Sequence, residues 1–225
     1  MQGLRYAVDI VMCIDATGSM TPVLDLVKGH ALSFRDDVAK SLQRKGKAVD
    51  SIRVRVIAFR DFLADPKTAL EESEFFELPD REDDFASFVC DLEPSGGGDN
   101  GGESGLEALA RAMQSKWTTA GDRRRQIIVL WTDDHAHPLE KSRGIGRGYP
   151  SGMPKDFGGL TDLWDGQGGP MVLSAKRLIL YAPAATPWDT IQNEWENVIH
   201  YPSIAGHGLA EQEYASIVDV IANSV

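Results

Sequence analysis

The sequence is short of the features that would assign it most simply. Its 225 residues include only two cysteines, Cys13 and Cys90, without metal-type spacing, which argues against a disulfide scaffold or a zinc ribbon. No apolar run approaches the roughly 18–20 residues of a membrane-spanning helix. The opening MQGLRYAVDIVMCID carries Asp9 and Asp15 where a signal peptide would stay apolar. Positive charge is scarce too, with 23 Lys and Arg against 34 Asp and Glu and a net charge of −11. A general nucleic-acid binder needs a basic face to displace counterions, and an anionic membrane needs a polybasic patch, so neither partner is expected. Two isolated cysteines in a chain of this kind read as reduced core residues of a cytoplasmic protein.

What is present is unevenly distributed. Between Glu71 and Glu103 stand twelve acids against one base, Arg81, and the rest of the chain is balanced. Such a stretch is expected to form a solvated helix face and edge strand, placing a negative field near its end, at Asp99 and Glu103. A composition of 42% hydrophobic and 25% charged residues supports an ordinary packed core and one domain over residues 1–225.

Short apolar runs alternate with helical periodicity. Ala7–Ile14, Ser51–Phe59, Gln126–Thr132, Lys176–Tyr181 and Asn197–Tyr201 read as strands, with Glu74–Leu78 as an edge strand. Helices are predicted from Thr21-Pro22 to about Leu42, from a cap at Asp80, after the glycine loop SGGGDNGGESG, from Thr186-Pro187 to Trp195, and over Leu209–Ile221. This alternation predicts an α/β fold, a doubly wound, mainly parallel Rossmann-like sheet with helices on both faces. A glycine- and proline-rich insertion at about 133–175 is too long for an ordinary connection. It is either a plain linker or a lid or docking loop over the site.

In such a sheet, ligands bind beyond the carboxyl ends of the strands. The first strand ends in Asp15-Ala16-Thr17-Gly18-Ser19, and the strongest later one in Thr132-Asp133-Asp134-His135-Ala136-His137. Asp15, Thr17 and Ser19 alternate with small residues, so three oxygen side chains can converge on one hard cation such as Mg²⁺. The bland alternative is a helix cap. A second reading takes Asp133, Asp134, His135 and His137 as part of a metal-dependent hydrolase, since imidazole favours zinc or manganese. No phosphate loop of the Gly-x-x-x-x-Gly-Lys-[Ser/Thr] type and no Gly-x-Ser-x-Gly nucleophile elbow occurs.

These residues resemble the von Willebrand factor A (vWA) domain with its metal-ion-dependent adhesion site, in its intracellular bacterial type. The resemblance is carried by DIVMCIDATGSM at Asp9–Met20, GGGDNGGE at Gly96–Glu103 and IIVLWTDDHAHP at Ile127–Pro138. It implies a divalent-cation-binding protein-interaction module, not an enzyme, holding Mg²⁺, or Mn²⁺ or Ca²⁺ in its place. The implied ligands are Asp15, Thr17 and Ser19 from the first loop, Asp99 from the second and Asp133 from the third. Glu103, Asp134 and His137 would stand behind the ligands or face the partner. Integrin-like members place a threonine where Asp99 stands, and the Asn100-Gly101-Gly102-Glu103 segment lacks the proline of a GGGD-x-PE-like loop. The extra carboxylate implies weaker capture of an acidic ligand or tighter structural holding of Mg²⁺, and the acidic stretch favours a basic protein partner.

Overall fold

This computed structural model describes residues 6–64, 66–97, 101–119, 121, 123–146, 148–210 and 212–225. Its strands are β1 (Tyr6–Asp15), β2 (Ser51–Phe59), β3 (Leu70–Glu72), β4 (Phe76–Leu78), β5 (Arg123–Trp131), β6 (Lys176–Pro183) and β7 (Val198–Ser203). They form one sheet in the order β3-β2-β1-β5-β6-β7, with β4 also pairing to β2. Only the short β3 and β4 run antiparallel; β2, β1, β5, β6 and β7 are parallel neighbours. The central β1 is buried along almost its whole length, as a parallel strand covered on both faces must be.

The helices are α1 (Thr21–His30), α2 (Phe34–Arg44), α3 (Glu82–Asp91), α4 (Gly105–Met113), α5 (Leu139–Arg143), α6 (Phe157–Trp164), α7 (Trp188–Glu194) and α8 (Tyr214–Ser224). Side chains of a strand alternate between faces, and two cores result. Ile10, Met12 and Ile14 of β1 pack with α1, α2, α3 and α8. Val11 and Cys13 pack with α4, α5, α6 and α7. The strand order reverses between β1 and β5, which opens the crevice where such sheets bind ligands.

Several expectations change in detail. The predicted helix over Thr21–Leu42 is two helices. The N–H and the hydroxyl of Ser33 both turn back to the His30 carbonyl, at 3.0 and 3.3 Å, and end α1. Cys13 is buried, but Cys90 is exposed on α3 rather than in the core.

The acidic stretch is more dispersed than its sequence suggests. Glu72 pairs with Arg55 and Arg111, and Glu71 with the buried Arg60. Leu78 of β4 lies beside Ile52, near the amino end of β2, so α3 starts at the end of the sheet opposite Asp15. The chain reaches the Asp15 loop only at Ser95, whose N–H donates to the Ala16 carbonyl at 2.9 Å. The field near that loop therefore comes from the end of the stretch, and most of its acids lie elsewhere.

The insertion at 133–175 packs against the sheet rather than forming a plain linker. It carries α5 and α6, and Leu139, Met153, Leu160, Trp164 and Met171 are buried in the second core. Trp164 also donates its indole N–H to the Glu196 carbonyl at 3.1 Å. Trp164→Ala is therefore expected to cost about 3–5 kcal/mol of stability, the range of a large aromatic removed from a packed core. Chemical denaturation measures this; an unchanged midpoint would mean that the insertion is dispensable to the core.

Candidate metal site

Asp15 closes β1, and because that strand is buried its carboxylate is fully buried too. Its loop is pinned from two sides, with Ala16 N–H donating to Phe59 O at 2.8 Å and Ser95 N–H donating to Ala16 O. Asp15 Oδ1 accepts from the Thr17 N–H at 3.0 Å and from the Thr17 hydroxyl at 2.6 Å. Its other oxygen accepts from the Thr132 hydroxyl at 2.7 Å. Thr17 Oγ1 stands 3.4 Å from Ser19 Oγ, and Ser19 donates to Asp133 Oδ1 at 3.0 Å. Asp133 Oδ2 accepts from the Gly208 N–H at 2.8 Å. One chain of polar contacts thus joins the ends of β1 and β5 across the crevice.

Of the expected ligands, the structure brings Asp15, Thr17, Ser19 and Asp133 together. Asp99 lies outside the described residues. Glu103 is buried beside the group, held by backbone bonds to the β5 loop: its N–H donates to His135 O at 2.9 Å, and the His137 N–H donates to its carbonyl at 3.0 Å. Among the described residues, its Oε2 is buried without a hydrogen-bond partner. Asp134 accepts from Gly102 N–H at 3.1 Å and from its neighbour's backbone N–H at 2.7 Å.

The electrostatics follow from crowding. Burial pushes the Asp15 pKa up to about 6, with Asp133 adding repulsion against the hydrogen bonds from Thr17 and Thr132. Burial pushes Glu103 up to about 9, reinforced by Asp15, Asp61, Asp134 and Asp133. Among the described residues, no lysine or arginine pairs with Asp15, Glu103 or Asp133.

The donors fit a hard cation. They are carboxylate and hydroxyl oxygens, and their spacings of 2.6, 3.4 and 3.0 Å bracket the roughly 2.9 Å between adjacent ligands of octahedral Mg²⁺. The buried, unpartnered Glu103 oxygen adds an acceptor beside them. Among the described residues, no three His, Cys, Asp or Glu side chains converge to hold a metal, so the set depends on its hydroxyls. That suits Mg²⁺ better than zinc.

The histidines are committed elsewhere. His135 is half exposed, with Nδ1 2.7 Å from Asp134. Lys141 donates to His137 Nδ1 at 3.2 Å, which leaves the ring proton on Nε2, facing Asp61 Oδ1 at 3.6 Å. Burial lowers the His137 pKa and favours the neutral ring. The two rings stand edge-on with centroids 6.4 Å apart. His137 is thus held on the β5 loop, and among the described residues the two rings do not converge with a third His, Cys, Asp or Glu ligand.

Four contributors escaped the sequence reading. Thr132 was visible as a hydroxyl at a strand end, but its bond to Asp15 spans 117 positions. Asp61 follows β2 and is brought to His137 only by the fold. Trp188 is buried in the second core, and its indole N–H donates to the Asp134 carbonyl at 2.9 Å. Gly208 carried no signal beyond the turn-forming Gly206-His207-Gly208.

No protein-family model and no curated protein matches the sequence. Solved structures do. The pilus adhesin SpaC from Lactobacillus rhamnosus GG aligns over 96% of this chain, with 11% identity and a TM-score of 0.55. Its open conformation gives 10% identity and a TM-score of 0.51. This chain spans about 30% of the adhesin's length. A von Willebrand factor type A structure from Catenulispora acidiphila aligns over 97% of this chain and 42% of its own, with 12% identity and a TM-score of 0.48. The likeness is one of fold.

A second buried acid sits one turn along α4. Glu107 is fully buried, accepts from the Tyr149 hydroxyl at 3.1 Å, and is pushed by burial up to a pKa of about 7. A carboxyl whose folded pKa lies above its unfolded one favours folding at low pH, and that advantage is lost as pH rises through about 7. Between pH 5 and 8 in EDTA, the wild type should lose more stability than Glu107→Gln, measured as urea midpoints. Equal losses would mean that Glu107 does not titrate in this range.

Proposed function

We propose that the chain is a vWA-type protein-interaction module that binds one divalent cation, Mg²⁺ in the first instance, and does not act as an enzyme. The observation that carries this reading is the chain of oxygen donors from Thr132 through Asp15, Thr17 and Ser19 to Asp133, buried except at Ser19, with no lysine or arginine pairing with its carboxylates among the described residues. Asp15, Thr17, Ser19 and Asp133 would hold the ion, with Asp99 as a further ligand. Glu103 and Asp134 would stand behind them, and His137 would fix the loop. When bound, the cation supplies a positive centre and an open coordination position at the edge of the sheet. Ser19 is exposed there, so a partner can reach it.

The carboxylates around the ion more than compensate its charge. A partner offering another carboxylate then gains little, whereas a basic protein surface meets the field of Asp133, Asp134 and Glu103. The exposed His135 stands beside Asp134 on this approach. Among the described residues, no helix is long and apolar enough to cross a membrane. The two free cysteines agree with a cytoplasmic setting.

Mg²⁺ should raise the melting temperature of the wild type, and Asp15→Ala and Asp133→Ala should abolish the rise. A ligand at 100 times its Kd contributes about 2.7 kcal/mol, so the effect is measurable by thermal scanning. Pull-downs with wild type and Asp15→Ala, in Mg²⁺ and in EDTA, test the partner. Identical captures under all conditions would make the ion structural and put the binding face elsewhere. Turnover of a generic phosphoester with zinc or manganese would overturn the non-enzymatic reading.

A further inference from the structure

The segment between β7 and α8 crosses the site and touches it through glycines. Gly206 and Gly208 both adopt left-handed backbone, with φ of +72° and +60°, but their surroundings differ. A Cβ on Gly206 would meet nothing within 4 Å. A Cβ on Gly208 would fall 2.1 Å from the Ser19 carbonyl oxygen and 3.0 Å from Pro22 Cδ. Gly208 also donates its N–H to the Asp133 carboxylate, whereas the Gly206 N–H goes to the Asp133 backbone carbonyl at 2.9 Å. The next residue, Leu209, holds a φ of +55° and is buried in the first core. For a branched side chain this is an uncommon conformation, and it persists because the core holds it.

We infer that Gly208 is a positioning residue of the cation site, and that its lack of a side chain is what sets the separation of the first and third metal loops. The inference rests on the cation-binding reading above. Two bonds orient the Asp133 carboxylate, one from Ser19 to Oδ1 and one from Gly208 to Oδ2. The Gly208 bond takes up the oxygen that does not face Ser19. The close backbone contact on the Ser19 carbonyl holds the first loop against the same strap. Mg²⁺ demands near-ideal ligand positions, so a side chain that pushes Ser19 away from Asp133 removes affinity without removing any ligand.

The comparison to make is Gly208→Asn against Gly206→Asn. Asparagine tolerates left-handed backbone, so the two variants share the conformational change and differ in the collision. Calorimetry with Mg²⁺ alone, with melting curves in EDTA and in Mg²⁺, is the readout. Gly206→Asn should bind as the wild type does. Gly208→Asn should bind about 10–100-fold more weakly, the usual effect of losing a group that orients a metal ligand. It should also lose the Mg²⁺-dependent rise in melting temperature. A merely structural strap would lower the melting point in EDTA and leave affinity unchanged, which would overturn the inference and spare the cation reading. If the wild type binds no Mg²⁺, the cation reading falls and the inference with it.

A measurement on the wild type covers the case in which Gly208→Asn does not fold. In ¹⁵N-resolved NMR with Mg²⁺, the amides of Thr17 and Gly208 should shift together, while that of Gly46, a left-handed glycine in open surroundings, stays fixed. A response of Thr17 without Gly208 would overturn the inference.

Discussion

Two carboxylates, Asp15 and Asp133, are buried at the adjoining ends of β1 and β5 with no lysine or arginine pairing with them among the described residues, and the surrounding structure answers that constraint. Removing an ionised carboxylate from water costs on the order of several kcal/mol unless its oxygens are satisfied and its charge is met. Thr17, Thr132, Ser19 and Gly208 satisfy the oxygens. They leave the charge unmet, and the crowding pushes neighbouring Glu103, with one buried oxygen unpartnered among the described residues, toward its neutral form. A cation is the simplest group that meets that charge. The same crowding that raises the Asp15 and Glu103 pKa values is what a divalent ion would relieve.

The fold supplies this arrangement through strand order. Chain leaving β1 turns to one side of the sheet and chain arriving at β5 comes from the other, so their carboxyl ends are adjacent while their following loops diverge. Into that gap come the end of the acidic stretch, the glycine loop before α4 and the strap before α8. Trp188 links α7 to the same place through the Asp134 carbonyl. The insertion contributes by covering the second face of the sheet with α5 and α6.

Parts of this were legible in the chain because they are local. The apolar runs of β1 and β5 end in Asp15 and Asp133, and hydroxyls two and four positions after Asp15 are set by a tight turn alone. The helical face of Leu106, Leu109, Ala110 and Met113 also followed from spacing. Other parts were not legible. The break at Ser33 depends on two bonds to one carbonyl in an otherwise periodic helix. The burial of Met153, Leu160 and Trp164 could not be read from a segment rich in glycine and proline, because those residues suggest mobility unless a sheet face lies beneath them. The acidic stretch looked like one field because charges adjacent in sequence seem adjacent in space; β4 and α3 carry most of them away from the site.

By itself, the sequence determined the α/β alternation, the strand ends that carry oxygen donors, and the scarcity of positive charge. These depend on residue period and on neighbours a few positions apart. Only the tertiary structure decided that Thr132 serves Asp15, that Lys141 and Asp61 commit His137, and that Gly208 passes against Ser19 with no room for a side chain while orienting Asp133. Those contacts join residues far apart in the chain, and their physical cause is the packing of loops at one reversal of strand order, which no local pattern encodes.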